Sequence, residues 1–140
     1  MNDSSEEIRS HFLVDEEAYE KEIVDRYIEA MLPYCKITKG GRVIIQARHF
    51  PDWANVGLVV LARYVGNNLD KSITAEVTVE EIGSQISLEK STVSKRCSEL
   101  VSKGLILRTD FGKYKANPVA IDDFLESLSS KTTVPKAKSS

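Results

Sequence analysis

The chain has 140 residues, a formal charge of -2, 41% hydrophobic and 29% charged residues, one domain's worth of sequence with enough apolar material for a core. Its longest apolar run, Val56 to Ala62, is far shorter than the ~20 residues a bilayer-spanning helix needs. Cys35 and Cys97 lie far apart without CxxC spacing, which argues against a disulfide framework or a zinc site, so the expectation is a cytoplasmic protein with two reduced thiols in its packing. The average charge hides a split: residues 1–35 hold ten acids against three bases (net -7), and residues 36–140 hold eleven against sixteen (net +5).

In chain order, residues 1–14 read as a poorly ordered N-terminus. From Asp15 a helix is expected, because Tyr19, Ile23, Val24, Tyr27, Ile28, Met31 and Leu32 recur at helical spacing, with acids crowding the first turns and Pro33 near the end. CKITKGGRVIIQA holds two short β-prone pieces around a Lys39-Gly40-Gly41 turn. Residues 15–50 thus form an N-terminal helix plus a short β segment. A second helix opens at Pro51-Asp52 with Asp52 as N-cap, and buries Trp53, Val56, Val59, Val60 and Tyr64 before Gly66-Asn67-Asn68 supplies stop signals.

SITAEV is a strand candidate. Thr78 with Glu81 has capping-box spacing for a third helix, VEEIGSQI. After a turn at Ser87-Leu88 a fourth helix, KSTVSKRCSELVSK, runs to Gly104, a residue suited to a left-handed C-terminal stop. LILRTDFGKYKANP then alternates, with Leu105, Leu107 and Thr109 on one face and Asp110-Phe111-Gly112 turning a hairpin. Asn117-Pro118 caps a last helix that offers Val119, Ile121, Phe124, Leu125 and Leu128 for burial. Residues 129–140, with three lysines and little to bury, read as a disordered basic tail.

The fourth helix has two chemically distinct faces. Val93, Cys97, Leu100 and Val101 recur at helical spacing as a core face, while Ser91, Thr92 and Ser94 are short hydrogen-bonding side chains that let a backbone approach a groove about 12 Å wide. Lys90, Lys95 and Arg96 can reach phosphates or a guanine edge. Between Leu88 and Ala116 seven bases, including Arg108, Lys113 and Lys115 in the hairpin, face three acids. Local field, not total charge, decides whether a phosphate backbone is attracted.

The stretch TVEEIGSQISLEKSTVSKRCSELVSKGLI, Thr78 to Ile106, resembles the helix-turn-helix core of prokaryotic transcription regulators of the multiple-antibiotic-resistance and related winged-helix families, and the likeness extends from about Pro51 to Leu128. It implies a mainly α fold with a small β-hairpin wing (α+β), a winged helix-turn-helix over residues 51–128 with an added N-terminal helix. It also implies sequence-specific binding of double-stranded DNA, with residues 89–103 in the major groove and the wing, 105–117, on the flanking backbone. The residues expected to carry it are Lys90, Ser91, Thr92, Ser94, Lys95, Arg96, Arg108, Lys113 and Lys115. Glu89 stands where such families commonly place a capping Ser or Thr, Cys97 replaces a core leucine, and Val101 occupies a position that is often Glu or Lys.

Other signals lead nowhere. Asp110-Phe111-Gly112 matches a kinase tripeptide without the accompanying loops. His11 and His49 have no partners at metal or triad spacing, and Gly40-Gly41 lacks a phosphate-loop context. No enzyme, metal or cofactor is expected. Related regulators dimerise through terminal helices, so a homodimer through the N-terminal and C-terminal helices is expected, with packing of the N-terminal helix on its own domain as the alternative. A winged helix that binds protein rather than DNA is the rival reading. A small-molecule effector near Tyr27 and Trp53 has no ligand-defining polar set behind it.

Overall fold

The computed structural model describes residues 3–47 and 49–129. In chain order the elements are α1 (Asp3–Phe12), α2 (Glu16–Met31), β1 (Cys35–Ile37), β2 (Val43–Ile45), α3 (Asp52–Leu69), β3 (Val77–Thr78), α4 (Val79–Ile86), α5 (Lys90–Ser102), β4 (Ile106–Asp110), β5 (Lys113–Ala116), a 3₁₀ turn (Pro118–Ala120) and α6 (Ile121–Ser129). The architecture is α+β: mainly helical, with two small antiparallel sheets.

Helix α3 is apolar on nearly every side. Trp53, Val56, Leu58, Val59, Val60, Leu61 and Val65 are all buried, the pattern of a helix at the centre of a fold rather than on its surface. It touches α2, α4, α5, α6 and both sheets. Two glycines permit close approach. A Cβ on Gly57 would stand 2.4 Å from the Phe124 ring, and one on Gly66 would stand 2.8 Å from Ile37. Phe124 of α6 therefore lies directly on α3, where its ring also meets Trp53 edge-on, 6.2 Å between centroids at 82°, a favoured aromatic geometry.

The β1–β2 hairpin pairs Cys35 with Ile45 and Ile37 with Val43. It is tied to the second half of the chain by the Val43 N–H, which donates to Gln85 Oε1 on α4 at 2.7 Å. The other sheet has strand order β3-β5-β4. Tyr114 and Ala116 of β5 and Ile106 of β4 face the core, while Lys113 and Lys115 face out.

Several expectations need correction. Asp3–Phe12 is helical rather than irregular, although every residue from Ser5 to Phe12 is exposed. The N-cap of α3 is Pro51, not Asp52, which is the first helical residue; proline lacks an N–H, and its fixed φ suits a helix entrance. The SITAEV strand shrinks to Val77–Thr78. The cause is Arg63, 5% exposed, whose Nε donates to the Thr74 carbonyl at 2.6 Å and whose Nη2 donates to the Glu76 carbonyl at 3.0 Å. Those carbonyls wrap the guanidinium, and Asn67 Nδ2 takes the Ile73 carbonyl at 2.7 Å. Val119, expected in the core, is 87% exposed; the 3₁₀ turn places Ala120 inward in its stead. Ser129 belongs to α6, and the rest of the expected tail lies outside the described residues.

Helix α2 packs on its own domain. Tyr27 and Met31 are buried, Ile23, Val24 and Ile28 are half-buried against the core, and Arg26 pairs with Asp122 of α6 at 3.6 Å. The apolar face of α6 is also taken up internally, with Ile121, Phe124 and Leu128 buried.

Candidate nucleic-acid interface

Helices α4 and α5 are joined by a tight turn whose chemistry is local. Thr78 Oγ1 accepts from the Glu81 N–H at 3.1 Å and Glu81 Oε1 accepts from the Thr78 N–H at 2.9 Å, the reciprocal capping box read from the sequence. At the other end Ser87 is left-handed, φ 57, and both its N–H and that of Leu88 return to the Gly83 carbonyl. A Cβ at position 83 would stand 2.7 Å from the Leu88 carbonyl oxygen, so only glycine lets the chain fold back so closely.

In α5, Val93, Cys97 and Leu100 are buried and hold the helix against the core. The opposite stripe is Ser91, Lys95, Ser98 and Ser102, all exposed, at spacings of four, three and four that share one helical face. Thr92 and Ser94 flank it, half-buried. The cations differ in availability. Lys95 is exposed with no ion pair among the described residues. Lys90 Nζ lies 2.8 Å from Glu80 Oε2 on α4, and this hydrogen bond and charge hold the Glu80 carboxyl below its ordinary pKa. Arg96 is largely shielded, its Nη1 3.3 Å from Glu99 and its Nε buried without a hydrogen-bond partner among the described residues. Glu89 is the N-cap and makes no side-chain cap hydrogen bond.

The hairpin does not gather its three cations on one face. The register pairs Leu107 with Lys115 and Arg108 with Tyr114, and cross-strand partners share a face. Lys115, and Lys113 two residues before it, lie on the outer face, where Leu107 is also exposed. Arg108 lies on the helix-facing side beyond the buried core. There its guanidinium sits 5.4 Å from the centroid of the Phe111 ring, and its Nε donates to the Asp110 carbonyl at 3.4 Å. Phe111 is 86% exposed.

The hairpin tip is anchored. The Gly112 carbonyl accepts from the Val79 N–H at 3.1 Å, Thr78 pairs with Lys113, and the Phe111 N–H donates to Asp110 Oδ1 at 2.7 Å. Gly112, φ +72, supplies the left-handed residue the turn needs.

Burial pushes the Cys97 thiol up to about 12 and the Cys35 thiol to about 11, so both stay protonated at neutral pH and pack as small apolar groups. His11 and His49 are exposed. Among the described residues no group of three or more His, Cys, Asp or Glu could hold a metal ion, and no helix is long and apolar enough to cross a membrane.

Of the α5 residues expected on the polar face, Lys90, Ser91 and Lys95 are exposed and Thr92, Ser94 and Arg96 half-buried, while Ser98 and Ser102, which extension of the helical period from Ser91 reaches, complete the exposed stripe. Phe111 was expected as a turn residue only. Comparison of the chain with family models, curated proteins and solved structures returns no match.

Proposed function

We propose that this chain is a winged helix-turn-helix protein that binds double-stranded DNA sequence-specifically as a transcriptional regulator, with α5 in the major groove and the β4–β5 hairpin as the wing. The element order from α3 to β5 and the β3-β5-β4 sheet support the architecture. The observation that carries the function is the exposed stripe Ser91, Lys95, Ser98 and Ser102. Small hydroxyl side chains and one unpaired cation form a low-relief face that a major groove can admit, while the opposite side of α5 is fixed in the core. Lys113 and Lys115 on the outer face of the wing suit contacts to the flanking phosphates.

A protein-binding winged helix is the second reading, favoured by the carboxylates of Glu80 and Glu99 on two of the three α5 cations. Salt titration of duplex binding, using duplexes enriched from a random pool, separates the two. DNA binding predicts a steep fall of affinity with salt, and the Lys95→Gln, Lys115→Gln double variant lowers the slope of log K against log salt by roughly 2, about one per lost phosphate contact. A wild-type protein that ignores duplexes at low salt sinks the DNA reading.

A further inference from the structure

We infer that Phe111, at the tip of the β4–β5 hairpin, is a DNA contact in its own right: an apolar wedge that enters the minor groove beside the α5 site and partly unstacks one base step. The inference rests on the DNA-binding reading and adds to it a residue, a groove and a deformation.

Turn chemistry does not account for Phe111. Asp110 and Gly112 supply what the two-residue loop needs, the first through the 2.7 Å bond from the Phe111 N–H and the second through its positive φ. The residue between them is free to be small and polar, yet it is a phenylalanine with 86% of its surface in water. Such a ring meets no part of the core and adds no core burial to the isolated chain.

The ring is also held in place. Arg108 stacks over it at 5.4 Å and is itself tethered to the Asp110 carbonyl. Beneath, the Gly112 carbonyl and the Thr78–Lys113 pair fix the tip to the start of α4. The backbone under the ring is fixed, so presenting Phe111 costs little chain entropy on binding. Its surroundings bear on the partner: Arg108 stands over the ring on one face of the hairpin, Lys113 and Lys115 line the other face, and the one adjacent carboxylate, Asp110, accepts from the Phe111 N–H, so cations on both sides of the tip suit an anionic polymer with stacked π-faces between its charged edges. Proteins that enter the minor groove use apolar wedges flanked by Arg and Lys in this way.

The test uses the full chain and the tightest duplex enriched from a random pool, with 2-aminopurine placed in turn at the base steps flanking the site. Wild type should raise the fluorescence at one step, reporting unstacking. Phe111→Ala should abolish that rise and weaken binding about tenfold, the scale of a lost base–aromatic stack, with an unchanged salt slope because no charge is removed. Phe111→Trp should restore both signals. The melting temperature of Phe111→Ala should equal that of wild type, since the ring is outside the core. Phe111→Ala that binds as wild type, or a duplex whose fluorescence never rises, overturns the wedge while leaving the DNA-binding reading intact. Wild type that binds no duplex overturns both.

Discussion

At the scale of single residues, position 83 decides the geometry of the α4–α5 turn. Its Cβ would stand 2.7 Å from the backbone oxygen of Leu88, and backbone cannot swing aside as a side chain can. Gly83→Ala should therefore destabilise the protein by roughly 1–3 kcal/mol, the cost of overpacking a tight site, read as a lowered urea midpoint at unchanged m-value. A variant as stable as wild type would mean that the turn relaxes freely. The same scale shows where sequence reading stops. Spacing assigned Val93, Cys97 and Leu100 to the core correctly, because helical period alone decides that. Arg96 and Glu99 stand three apart on α5 and pair there, a contact the helical period allows, whereas Lys90 meets Glu80 across the α4–α5 turn, which no period within α5 shows.

At the scale of elements, the loop between α3 and β3 is organised by one buried cation. Arg63 bonds the Thr74 and Glu76 carbonyls and lies 3.6 Å from Glu81 Oε2. It thus joins α3 to the capping box of α4. Arg63→Leu leaves two carbonyls without their donors, and hydrogen bonds to charged groups contribute about 1.5–3 kcal/mol each. A loss of about 2–4 kcal/mol in chemical denaturation is expected, discounted for water reaching the half-buried carbonyls, and Arg63→Lys should recover little because one ammonium cannot reproduce the planar fork. Full stability in Arg63→Leu would refute this role. The interaction also explains why SITAEV reads as a strand and is mostly a loop. β-propensity described the residues fairly, but their carbonyls answer to a side chain eleven or more positions earlier.

At the scale of the whole molecule, the order of elements from α2 to α6 was legible, because caps, glycine stops and changes of period mark most boundaries. The candidate site was legible as a helix face but not as a surface: only strand register shows that Arg108 parts company with Lys113 and Lys115. Of the two placements expected for the N-terminal helix α2, the structure shows packing on its own domain. α6 buries Ile121, Phe124 and Leu128 and α2 buries Tyr27 and Met31 within the chain, whereas Ile8, Phe12, Leu13 and Val14 before α2, and Tyr19 in its first turn, remain exposed. A homodimer, expected where paired half-sites are read, would find exposed apolar side chains in this N-terminal segment. Sedimentation should then give a dimer for the intact chain and a monomer of unchanged melting temperature for a chain starting at residue 15. A monomeric intact chain would sink the dimer. The Val43 N–H bond to Gln85 on α4 adds to the packing of β1 and β2 on α3, so the hairpin that follows α2 is fastened both to the central helix and to the helix that leads into the α4–α5 turn.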